Sequence, residues 1–305
     1  MKICTNFKRI GKHSDIRYLV PFFSFSQFLC LSPKYDGKHN RFVFSKYQRH
    51  FCIFLFVAFL VGYAVALPPR IRVYKSTSTS EAVFDMLSLI TTTLVTTTSI
   101  LNINFRNQQK FLGLLNNFLA VDAKLEQFHR RGEVRTLLFH LEVFVSEIPV
   151  FMAILNDLYV WNFTSTGGIY ENYLIQDLQT YHMHVMVTAM YNLIVCLKYR
   201  FEILNVWLSG LHRDKLLLRD GTREMVFELG KIYTTLYGMI SAVNEVYGVV
   251  ILLIFFNTVT NFFVHFHVVI LNSYNDIYGG IVFVPVAGWI ASFTVSFPTK
   301  LYRYT

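Results

Sequence analysis

The chain has 305 residues, of which 53% are hydrophobic, 17% aromatic and only 15% charged. That is too few charges for an ordinary soluble domain of this size. The formal net charge of +9 would suit a nucleic-acid binder. Lys and Arg, however, lie almost wholly between apolar runs, the pattern of loops held at an anionic membrane surface. We therefore expect an all-α, polytopic membrane protein with no nucleic-acid partner.

Going along the chain, about fifty mostly polar or basic residues precede the first long apolar run, so a cleavable signal peptide is not expected. Within them Tyr18–Pro33 is apolar but short, with a proline near each end. It reads as interfacial or re-entrant.

Six runs approach the ~20 residues that cross a hydrocarbon core. They give spans at about 51–67, 86–105, 137–161, 178–197, 246–270 and 277–299. The first run stops at Pro68-Pro69, and Pro285 is expected to kink the last. No internal repeat appears, and the whole chain reads as one transmembrane domain.

If the amino terminus faces the cytoplasm, the inner segments hold 25 of the 28 Lys and Arg; the outer ones hold only Arg70, Arg72 and Lys75. Such a split is a strong positive-inside signal. It puts "WNFTSTGG" outside, where Asn162 of Asn162-Phe163-Thr164 is a glycosylation acceptor. The four cysteines, Cys4, Cys30, Cys52 and Cys196, all fall away from the outer segments, so no structural disulfide is expected.

Several residues invite a chemical role. His182/His184 and His265/His267 stand two apart, and on a helix such pairs point about 200° apart, so neither converges on one metal. No nucleophile elbow, phosphate loop or facing acid pair is present. Hence no catalytic residues, metal or cofactor are expected, and no enzyme. Glu147, deep in the third run, is an intramembrane acid on one face with His140, Phe144 and Phe151. It has either a ligand or gating role or a packing role, paired or protonated. Threonines 91–93 and 96–98 point nearly all around the second run. Back-bonding to preceding carbonyls and close helix contact suit them, with a ligand-lining role open for one or two.

Two stretches resemble the insect gustatory receptor family. "YRFEILNVWL", residues 199–208, is similar to its Arg-Phe-x-x-Leu-Asn-x-x-Leu signature, matched by Arg200, Phe201, Leu204, Asn205 and Leu208. "LGKIYTTLYGMISAVNEVYGVVILL", residues 229–253, resembles the family's cytoplasmic extension of the fifth helix, including Asn244 before the membrane entry. The early "YLVPFFSFSQFLCLSPKY" is similar to the short apolar segment these receptors carry before their first span.

The resemblance implies a cytoplasmic amino terminus and a sensory-neuron plasma membrane. It also implies a homo- or hetero-tetrameric, tastant-gated cation channel, with 198–245 either forming helices that join subunits beneath the bilayer or remaining a solvated loop near anionic lipid. The family's seventh, pore-lining span and its Thr-Tyr-(five apolar)-Gln-Phe motif do not occur before Thr305. A non-conducting, shortened product is therefore an alternative, as is a solute transporter or its accessory subunit.

A small tastant is expected in the outer half of the bundle, beside membrane lipid. Its pocket would draw on Phe84, Leu89, Met152, Asn156, Tyr159, Gln176, Tyr181 and Trp289, with Asn156 and Gln176 orienting the ligand by hydrogen bonds.

Overall fold

The computed structural model describes residues 16–75, 79–128, 174–213 and 220–272. The expected spans at 137–161 and 277–299, with Glu147, Met152, Asn156, Tyr159, Asn162 and Trp289, lie outside the described residues.

A 3₁₀ turn, Ile16–Leu19, leads into α1, Val20–Gln27, whose Pro21 sits in the first turn where its missing N–H leaves no helical bond unmade. A small antiparallel hairpin follows, with β1 at Lys34–Asp36 and β2 at Arg41–Val43. Four long helices come next: α2, Lys46–Tyr74; α3, Thr79–Leu101; α5, Leu174–Arg213; and α6, Asp220–Asn272. Between α3 and α5 a π-turn, Asn102–Arg106, opens into α4, Gln108–Phe128.

Among the described residues three helices are long and apolar enough to cross a membrane: Lys46–Arg72, Ala82–Arg106 and Glu224–Phe263. Helix α5 has the length but falls outside that set. Asp177, His182, His184 and two glutamines dilute its apolar stretch. The prolines at 68 and 69 end the apolar run but not the helix, since α2 continues to Tyr74. Without two N–H groups, the carbonyls of residues 64 and 65 lose their helical donors.

Fifty-three residues make α6 about 80 Å long at ~1.5 Å per residue. That far exceeds a hydrocarbon core of about 30 Å. The charges on this helix end at Glu245, and none follows as far as Asn272. Residues 229–253 are thus one unbroken helix that passes from a charged to an uncharged stretch.

The chain divides into two compact units. One comprises Met1–Ile53, Ile100–Phe139 and Val185–Val249; the other comprises Phe54–Ser99, His140–His184 and Val250–Thr305.

In the first unit, Phe42 of the hairpin packs edge-on to Phe23 of α1, with ring centroids 5.6 Å apart. Its backbone N–H donates to Oδ1 of Asn116 on α4 at 2.8 Å, and the same amide donates back to the Phe42 carbonyl at 3.3 Å. Phe111 of α4 meets Tyr247 of α6 at 5.9 Å, edge to face. Three asparagines clamp the π-turn. Asn107 donates to Oδ1 of Asn102 at 2.8 Å and to the Glu245 carbonyl at 2.9 Å, while Asn102 donates to the Val246 carbonyl. Asn104 reaches the Cys30 carbonyl at 2.6 Å.

In the second unit, Gly62 of α2 allows Ile175 of α5 to approach. A Cβ at that position would meet its Cδ1 at 2.5 Å and its Cγ1 at 2.6 Å. Arg70, near the end of α2, is buried and pairs with Asp85 of α3 at 3.2 Å.

Candidate functional site

Helix α3 is the most polar of the apolar helices and also the most enclosed. Of its spanning window 67% is buried, against 17% for α2. Threonines favour helices poorly, yet here the hydroxyls of Thr91, Thr92, Thr93, Thr96 and Thr97 each find a carbonyl one turn back. Thr91 and Thr92 donate to the Ser88 carbonyl at 3.0 and 2.8 Å, Thr93 to Leu89 at 2.9 Å, and Thr96 to Thr92 at 2.9 Å. The helix satisfies its own side chains, which lets it stay buried.

The same hydroxyls also reach across to neighbouring helices. Oδ1 of Asn257 on α6 lies 2.6 Å from the Thr91 hydroxyl and 3.0 Å from that of Thr92. Its amide nitrogen faces Sδ of Met183 on α5 at 3.5 Å. One turn further along α6, Asn261 accepts from Ser88, whose hydroxyl accepts from Nε2 of Gln176 at 3.1 Å. Thr93 reaches Oε1 of Gln179 at 3.0 Å, and Thr96 reaches the Gln179 carbonyl at 3.4 Å. Three helices thereby converge on a cluster built from hydroxyls and amides.

Its hydrogen-bonding capacity is not used up. Thr91, Thr92, Thr93 and Thr96 each have one proton for two acceptors within reach, so acceptors outnumber protons. Among the described residues, Oε1 of Gln176 and Nε2 of Gln179 are buried without a hydrogen-bond partner. In an apolar surround an unmet amide group costs several kcal/mol, of order 2–7 by transfer measurements. An acceptor and a donor left open among neutral groups suit a small, uncharged molecule that offers one of each. The edge of the His182 ring packs against Phe59, centroids 5.7 Å apart, beside this cluster in sequence.

Matching family models and curated proteins against the chain finds none.

Of the eight residues expected to line a pocket, four are described. Gln176 belongs to the polar cluster. Leu89 is fully buried and lends its carbonyl to Thr93. Phe84 is half-buried and stacks on Phe263 at 6.3 Å, and Tyr181 is half-buried on α5. Sequence reasoning passed over Gln179, Asn257 and Asn261. The available signal was the i, i+4 pair of asparagines inside an otherwise apolar run of α6.

The residues singled out by resemblance divide. Arg200 is fully buried, and its Nη2 donates to Oδ2 of Asp122 on α4 at 2.6 Å, while Nη1 donates to the Cys196 carbonyl at 2.6 Å. The guanidinium carbon lies 4.5 Å from the Phe118 ring centroid. Burial pulls the Arg200 pKa down, but the Asp122 charge, with help from Cys196, outweighs it and leaves the value above the ordinary one. Asp122 also accepts from the Ile16 N–H at 3.1 Å, tying the 3₁₀ turn to α4. Phe201 packs edge-on to Tyr233 at 5.6 Å. Asn205 and Asn244 are exposed.

Proposed function

We propose that the chain is a chemosensory membrane receptor of the insect gustatory type, spanning the membrane six times from a cytoplasmic amino terminus. It would be a subunit of a tetrameric, tastant-gated cation channel of the sensory-neuron plasma membrane. The supporting observation is the neutral cluster of Ser88, Thr91, Thr92, Thr93, Gln176, Gln179, Asn257 and Asn261, which keeps an open donor and an open acceptor inside an apolar bundle. A rigid structural network would close every such group, because each open one opposes folding. A ligand that closes them binds the ordered arrangement best, and it favours the open channel only by its differential affinity for that state. The ligand class is small, uncharged and capable of both donating and accepting.

The decisive experiment records current and tracer uptake in the same cells, with neutral polyols and amides as test compounds. A ligand-evoked cation current that Gln179→Leu abolishes supports the receptor reading. Uptake of the compound without current would replace it with a solute carrier, and binding with neither would favour the non-conducting form.

A further inference from the structure

The first unit carries a second feature that the receptor reading does not use. On the hairpin, Tyr35 and Phe42 are Cα partners and face inward, so Lys34, Asp36, Arg41 and Val43 share the outward face. Lys38 stands in the exposed connecting turn, and Lys46 and Arg49 are exposed on the entry turn of α2. The only acid among them, Asp36, is already held by Nδ1 of His39 at 2.6 Å. Lys34, Lys38, Arg41 and Lys46 have no carboxylate partner among the described residues. Five cations therefore face one engaged acid.

The level of this surface along α2 is set by one contact: Nε2 of Gln48 donates to the Ser32 carbonyl at 2.6 Å. The segment joining α1 to the hairpin thus lies beside the first turn of α2. The uncharged run of α2 begins at Phe51, only about 4.5 Å along the axis from Gln48. Phe25 and Phe28 of this region are 42% and 72% exposed, and Tyr47 is 87% exposed. Aromatic side chains uncovered at the junction of a charged and an apolar stretch have the composition of a membrane-interface belt. An acidic protein partner would use the cations but leave those rings in water.

We propose that the outward hairpin face and the entry turn of α2 form a docking surface for anionic phospholipid headgroups, with Phe25 and Phe28 seated at the acyl boundary. The headgroup phosphate and carboxylate meet Lys34, Lys38, Arg41 and Lys46, and the rings anchor the hairpin against the bilayer that α2 is long and apolar enough to cross. This surface stands whether or not the polar cluster binds a tastant.

The test uses the full chain in neutral detergent, with bound molecules counted by native mass spectrometry during titration with phosphatidylserine, phosphatidylcholine or poly-glutamate. Replacing Lys34, Lys38, Arg41 and Lys46 together by Gln should weaken phosphatidylserine binding about tenfold or more. A control that removes the same charge elsewhere, with Lys110, Lys124, Lys198 and Lys231 changed to Gln, should stay within about twofold. Phe28→Ser should weaken the lipid but leave soluble glycerophosphoserine unchanged. Equal losses in both quadruple variants, or poly-glutamate binding that tracks the hairpin while the lipid does not, would overturn the proposal. If the hairpin variant aggregates, the single Lys38→Glu in its exposed turn carries the same test, with about a threefold loss expected. Carbonate-resistant insertion of the unaltered chain into phosphatidylcholine vesicles reports membrane residence separately.

Discussion

Across 78 residues of sequence, the Arg200 guanidinium donates to the Asp122 carboxylate at 2.6 Å, and both side chains are shielded from solvent. A buried pair like this adds little relative to apolar residues, but breaking it strands a charge. Asp122→Ala should therefore lower stability by about 3–5 kcal/mol. It should also free the backbone at Ile16, which loses its acceptor. Thermal unfolding in detergent, with proteolysis near the amino terminus as a second readout, checks this. The double variant Asp122→Leu/Arg200→Met should recover much of the loss, and a double as unstable as the single would contradict the argument.

Gln179 gives a prediction of opposite sign for stability and response. Its amide nitrogen is buried and unmatched among the described residues, which opposes folding by roughly 1–3 kcal/mol. Gln179→Leu should leave the melting temperature unchanged or raise it, while ligand-evoked current disappears. A clear drop in stability would assign the amide to structure instead.

Gly62 is the close-approach point of α2 and α5. Gly62→Val should destabilise the helix pair by about 1–3 kcal/mol, because Ile175 already fills the space a side chain needs. Adding Ile175→Ala should restore much of it. Non-additivity in that two-residue cycle is the measurement, and strict additivity would mean that the two positions do not touch.

Asn107 bridges the π-turn to α6. Asn107→Ala removes two hydrogen bonds and leaves Oδ1 of Asn102 without its donor, for a loss of about 1–3 kcal/mol. Hydrogen exchange should then rise locally at residues 102–107. Faster exchange spread evenly over the chain would point to global rather than local loosening.

Sequence alone determined the helical class, the apolar runs that became α2 and the long apolar parts of α3 and α6, and the back-bonding of the threonines. Those properties are local. Run length, charge spacing and a hydroxyl's reach to its own preceding turn need no distant partner. Only the tertiary structure decided that Asn257 would sit on Thr91 and Thr92, 166 and 165 residues away, and that Gln179 would meet Thr93. Helical period tells which face a residue occupies but not which neighbour covers it. The same limit applied to α2, whose passage through Pro68 and Pro69 was not legible in a run of apolar letters ending at residue 67. For Arg200, the sequence offered a motif. The fold supplied the carboxylate that allows a guanidinium to be buried there.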